Sequence, residues 1–129
     1  MSNNIVLLVA RILLSFMFIM AGATKFGSIS GTAGYIGSVG LPAPTLLAWL
    51  SGVWEVVAGV ALLVGYQTRI AALALALFCI LTAVFFHTNF ADQMQMTIFM
   101  KNITLVGGFL ALFAAGPGSI SVDGRRGAA

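Results

Sequence analysis

The stretch Ile70–Phe86, IAALALALFCILTAVFF, contains no charged residue and no proline or glycine. Such a run, too long for a buried strand, reads as a helix that is apolar all round. At 1.5 Å per residue it covers about 25 Å, and continuing to Thr88 brings it close to the ~30 Å hydrocarbon core of a bilayer. Three similar stretches surround it. One runs from Ile5 to Thr24 and contains Arg11. A second, from Leu46 to Val64, contains Glu55. The last, from Met96 to Ala115, holds Lys101 and Asn102 near its start. The expected membrane helices are therefore about 5–24, 46–64, 70–88 and 96–115. Pro42 and Pro44 precede the second, Gly65 follows it, and Gly116-Pro117-Gly118 stops the fourth.

Composition agrees. The chain has 129 residues, 60% of them hydrophobic, with six Lys and Arg against three Asp and Glu. A soluble domain of this length would carry roughly 32 charged residues. Nine charges cannot cover a water-solvated surface, and disorder requires the opposite composition. The fold class expected is all-α: a single four-transmembrane-helix bundle over residues 1–129. A Gly/Pro-rich outer connector at 27–45 links the first two helices, with glycine at 31, 34, 37 and 40. It lacks GxGxxG and reads as a surface or re-entrant segment with at most one short interfacial helix. Ala21-Gly22-Ala23 resembles a leader cleavage site. With no positive charge before Ile5 and Arg11 inside the apolar run, a retained helix is expected instead. Arg11, Arg69, Arg125 and Arg126 on one side outnumber Lys25 and Lys101 on the other. The positive-inside rule thus predicts both ends inside, with a polar cytoplasmic tail at 116–129.

The chemistry available is narrow. Cys79 is the only cysteine and His87 the only histidine. An internal dithiol and a bis-histidine haem within one chain are excluded. No catalytic constellation is self-contained, the six methionines read as packing rather than as metal ligands, and scattered cations rule out a nucleic-acid surface.

Two sets of polar residues stand out. Arg11 and Glu55 would each cost about 2.5–3.5 kcal/mol in lipid, so both should face the bundle interior. Measured from the inner ends of their helices, they lie about 9 and 14 Å deep, which predicts an intramembrane ion pair. Arg11, Ser15, Phe18, Gly22 and Lys25 share one helix face; Gly52, Glu55 and Gly59 share another; Lys101, Gly108, Leu112 and Ala115 suggest a third inward stripe. The pair reads either as a bundle clamp or as charge lining a ligand or proton path. At the outer rim, Lys25, His87, Asn89, Lys101 and Asn102 are candidates to receive a polar head group while the bundle takes an apolar tail.

These pieces together resemble the DoxX family of small membrane proteins. They are Arg11, Gly22-x-x-Lys25-Phe26, Leu41-Pro42, Glu55 with Gly59, and Gly65 with Thr68-Arg69. Later come Lys101-Asn102, Gly107-Gly108, Gly116-Pro117-Gly118 and Ser121-Val122-Asp123. The resemblance implies a four-helix inner-membrane protein with a quinone-linked redox connection. On that basis the chain is expected to be a non-catalytic subunit or accessory of a membrane redox assembly. It would have no intrinsic cofactor, a bound quinone or lipid, a membrane or periplasmic redox partner, and room for a homo-oligomer. A small proton-coupled exporter using Glu55 and a structural maturation factor for a periplasmic partner are the alternatives.

Overall fold

The computed structural model describes residues 2–127. Its elements in chain order are α1 (Asn3–Phe26), α2 (Ile29–Ser38), α3 (Pro44–Val64), α4 (Thr68–Phe86), α5 (Gln93–Ala115) and the single turn α6 (Val122–Arg125). Four of them, α1, α3, α4 and α5, are long and apolar enough to cross a membrane. No strand occurs among the described residues, as a hydrocarbon solvent demands of a small bundle whose backbone must satisfy itself. α1 starts two residues before the expected Ile5 because Ser2 caps it, its hydroxyl accepting from the Ile5 amide at 3.3 Å. α5 starts at Gln93, where the Asp92 carboxylate accepts from the Met94 amide at 3.0 Å. α4 begins and ends two residues earlier than the 70–88 reading, leaving His87 as its C-cap.

α1 packs chiefly on α3 and α4 on α5. α3 meets α4 less extensively, and α1 touches α5 lightly. The α1–α3 seam is built from the faces the periodicity marks: Arg11, Ser15, Phe18 and Gly22 are buried on α1, and Ala48, Gly52, Glu55, Gly59 and Leu62 on α3. A Cβ at Gly22 would stand 2.8 Å from the Gly52 carbonyl oxygen and 2.7 Å from a Val56 methyl. Small residues let the two backbones approach this closely. The core beside the seam joins Phe18 to Leu62, Leu75, Cys79, Phe109 and Leu112. The Phe18 ring lies 5.6 Å from that of Phe109 and 6.4 Å edge-on from that of Phe78. On α5 the inward stripe is narrower than expected: Leu112 is buried and Gly108 half-buried, whereas Lys101 and Ala115 are exposed, because Phe109 carries the contact.

The connector forms α2, whose Ala33 and Ile36 are buried in a second small cluster with Ala48. The segment after α5 is packed: Pro117 is buried, and Ser121 and Asp123 are buried against the α3–α4 turn. That turn ends α3 in a Schellman arrangement, with Tyr66 donating to the Ala61 carbonyl at 2.8 Å and Gly65 (φ +74°) to Leu62 at 3.2 Å.

The seam makes a prediction. Gly22→Ala gains about 1 kcal/mol of helix propensity but must push into a neighbouring backbone, an overpacking cost of about 1–3 kcal/mol. Its thermal midpoint in mild detergent should fall, whereas Gly31→Ala, with open space around it, should leave the midpoint unchanged or slightly raised.

Candidate functional site

The expected Arg11–Glu55 ion pair is not formed. Glu55 is bonded to Lys25 instead, and Arg11 donates to the carbonyls of Leu63 (2.7 Å), Leu62 (3.5 Å) and Ile120. Register and side-chain direction explain the correction. Glu55 lies beside Gly22, whose added Cβ would stand 3.0 Å from the Glu55 Cβ. Arg11 is about 16 Å further back along α1 (11 residues at 1.5 Å each). Helical side chains also lean toward their own N-terminus. Lys25 and Glu55, on antiparallel helices, therefore lean toward each other, while Arg11 leans away from Glu55.

Arg11 acts at the α3–α4 turn. The Leu63 carbonyl is one of the orphans left at the C-terminus of α3, where a cation also complements the helix dipole. Asp123, a residue given no role by periodicity, does the converse for α4. Its carboxylate accepts from the Gln67 amide (2.9 Å), the Thr68 amide (2.8 Å) and the Thr68 hydroxyl (2.8 Å). Gln67, the N-cap of α4, sits in the left-handed region (φ 47°) and makes no side-chain cap of its own. The Asp123 amide in turn donates to the Gly65 carbonyl at 2.8 Å. Burial pushes the Asp123 carboxyl upward, but the Thr68 and Gln67 hydrogen bonds and Arg126 outweigh it and hold it below the usual carboxylate range. The only sequence signal for this residue was the Ser121-Val122-Asp123 piece itself.

The other polar centre lies at the opposite end, next to the connector. A half-open cavity of about 430 Å³ is enclosed by α2, α3 and α4, with Lys25 reaching in from α1. Its walls are apolar: Leu47, Leu50 and Trp54 on one side, Phe78, Leu81 and Phe85 on the other. The Trp54 indole donates to the Ala74 carbonyl at 3.0 Å and ties α3 to α4. Tyr35 of α2 stacks on Phe86, ring centroids 5.0 Å apart, at the connector side. The polar lining consists of Lys25, Thr32, Tyr35, Ser51, Thr82 and His87. His87 Nδ1 is buried with no hydrogen-bond partner among the described residues. Burial lowers the imidazole from its ordinary value, so the ring is neutral at pH 7.

Of the five rim candidates, the cavity thus brings two together, Lys25 and His87. Asn102 stands one step behind, its amide donating at 3.1 Å to the Thr82 hydroxyl. Asn89 and Lys101 are exposed and lie outside the cavity. Periodicity missed Trp54, Ser51 and Thr82, which read as ordinary apolar-helix residues and are brought together only by the cavity between α3 and α4.

The DoxX family model matches residues 6–88, which hold most of α1, all of α2 to α4 and every residue lining this cavity. The chain belongs to the DoxX family. It is 42% identical over 121 residues to Inner membrane protein YqjF of Escherichia coli (strain K12), covering 94% of this chain and 92% of that protein. Inner membrane protein YphA of the same organism is 37% identical over 129 residues, covering 96% and 92%. A protein of Bacillus subtilis (strain 168) named "Putative oxidoreductase CatD" is 33% identical over 70 residues, 54% of this chain and 51% of its own length. No solved structure matches the chain. With four spanning helices and such relatives, this DoxX protein is a multi-pass inner-membrane protein.

Two predictions follow from the polar centres. Asp123 has a lowered carboxyl pKa in the folded state, so its contribution is fully present above about pH 4, the ordinary carboxylate value, and is lost as pH falls through the folded value. Asp123→Asn should lower the thermal midpoint at pH 7 by an amount equivalent to about 1–3 kcal/mol and flatten the acid limb of midpoint against pH. Arg11→Ala should reduce folded yield in membranes more than Glu55→Gln does. The first strands buried carbonyls, whereas the second leaves a lysine that is 24% exposed and able to reorient; fluorescence-detected size exclusion would rank them.

Proposed function

We propose that this DoxX protein is a non-catalytic membrane subunit or accessory of a redox assembly, and that its cavity holds a quinone or a lipid. The observation that carries the reading is the cavity's division into parts: apolar walls for a chain, and Lys25 with His87 for the oxygen atoms of a head group. Quinones and ester lipids share that chemistry, an apolar tail bearing carbonyl acceptors. A lysine ammonium donates to a carbonyl, and the unpartnered His87 Nδ1 has unused hydrogen-bonding capacity. The relative named as an oxidoreductase favours the quinone of the two. With both chain ends inside, as the cation count favours, the head-group end faces the outer leaflet. The side chains at the cavity supply hydrogen bonds and charge that orient a head group, and electrons would pass through the ligand and a partner protein.

Purification in mild detergent followed by native mass measurement should find a quinone or lipid retained by the wild type and lost from Lys25→Ala. Adding a decyl-chain benzoquinone should raise the thermal midpoint by about 5 °C or more at saturation. A preparation that retains neither class of molecule and shows no such rise would overturn the reading.

A further inference from the structure

The cavity's charge is balanced from behind. Lys25 lines the cavity, whereas its partner Glu55 is only 4% exposed and does not. No other Lys, Arg, Asp or Glu is among the lining residues. A ligand therefore meets an ammonium donor whose charge is already cancelled on its far side. Resting on the occupied-cavity reading above, we infer that the Lys25–Glu55 pair makes this site select neutral carbonyl-bearing amphiphiles, and that an anionic amphiphile enters only together with one proton.

The physical argument is a count of charges in a low-dielectric space. A neutral carbonyl can accept a hydrogen bond from one of the ammonium's three N–H groups while Glu55 accepts from another, and the site stays neutral. An anionic head group would place two negative charges around one positive charge, between walls of Leu47, Leu50, Trp54, Phe78 and Phe85. An uncompensated charge in such surroundings is strongly disfavoured. Protonating Glu55 restores balance: the proton goes onto the carboxylate, the ammonium turns to the anion, and net charge returns to zero. Binding of a permanent anion must then weaken as pH rises, by tenfold per pH unit where one proton is taken up, whereas neutral binding is flat. The titratable groups around Glu55 are few. Lys25 comes from α1, Tyr35 of α2 and His87 of α4 line the cavity, Cys79 of α4 lies in the core beyond, and no α5 residue lines it. Between pH 7 and 9 His87 stays neutral, so it does not imitate the effect.

The test uses the full chain in neutral detergent, with a decyl benzoquinone and decanesulfonate as matched probes, followed by Trp fluorescence and thermal midpoint from pH 7 to 9. The wild type should bind the quinone with pH-independent affinity. It should bind the sulfonate at least tenfold more weakly at pH 7, losing about tenfold per further pH unit. Glu55→Gln should bind the sulfonate at least tenfold more tightly than wild type, without pH dependence, and the quinone within a few-fold of wild type. Should that variant fold poorly, the Lys25→Gln/Glu55→Gln double variant, neutral throughout, serves instead: without the ammonium it should bind the sulfonate at least tenfold more weakly than wild type at pH 7, and without pH dependence. Sulfonate binding by the wild type that equals quinone binding, or that ignores pH, overturns the inference alone. Binding of neither probe by wild type or variants overturns the occupied-cavity reading and this inference with it.

Discussion

Two cations on one face of α1, both turned toward α3 and some 21 Å apart along the helix (14 residues at 1.5 Å each), set the geometry of the whole bundle. Each must be satisfied inside the protein, because the surrounding solvent offers nothing. α3 answers them differently. Near its C-terminus it offers the Leu62 and Leu63 carbonyls to Arg11, and near its middle the Glu55 carboxylate to Lys25. With both ends of α1 anchored, the glycines between them, Gly22 against Gly52 and Gly59 against Ile19, admit only one depth of approach. The register of α1 on α3 is therefore over-determined by charge at two heights and by shape in between.

The α3–α4 turn carries the second half of that logic. A tight helix–turn–helix places a partial negative pole and a partial positive pole side by side, each with orphan backbone groups. Arg11 from α1 covers the first, and Asp123 from the last turn covers the second. Their own charges attract across the turn. The chain's first and last helices are thereby fastened to its middle, although the residues concerned are separated by more than fifty positions. Toward the other end the Trp54 indole joins α3 to α4, and Leu47 and Leu50 of α3 line the cavity together with Phe78, Phe85 and Phe86 of α4.

The four spanning helices and the buried faces of α1 and α3 were legible because a 20-residue apolar run and a 100° periodicity are local properties of the chain. Glycines 22, 52 and 59 likewise announce a close seam at their spacing. Partner choice was not legible. Depth counted from helix ends assumed that Ile5 and Val64 lie level, whereas Arg11 itself meets Leu63, and depth alone ignored that side chains lean toward their own N-terminus. Lys25 read as an interfacial lysine because its carboxylate partner sits 30 residues away on another helix. Asp123 was hidden for the same reason: its partners are backbone amides at 67 and 68, and no side-chain pattern marks an amide as unsatisfied. The cavity was half legible. Lys25 and His87 sit at helix ends, where rim residues can be guessed, but Asn89 and Lys101 have the same local signature and point elsewhere, so end position does not distinguish lining residues from bystanders.

The two ends of the molecule differ in how they use charge, and the difference bears on function. At the α3–α4 turn, the two terminal nitrogens of Arg11 donate to backbone carbonyls that any side chain sequence would present, and Asp123 accepts from two backbone amides and the Thr68 hydroxyl; both contribute to fold and are buried. At the cavity, Lys25 is bonded to a side chain, is a quarter exposed and faces a space large enough for a ring and part of a chain. An ammonium needs three acceptors, and Glu55 supplies one. A purely structural lysine at this height could have turned its ammonium toward water at the helix end, as lysines near membrane surfaces do. Instead it is held back into the bundle by a carboxylate placed behind it. Directing a donor toward an apolar cavity costs solvation that an acceptor oxygen there would offset, which is why the proposed ligand site rests on the Lys25–Glu55 pair more than on the depth or size of the cavity.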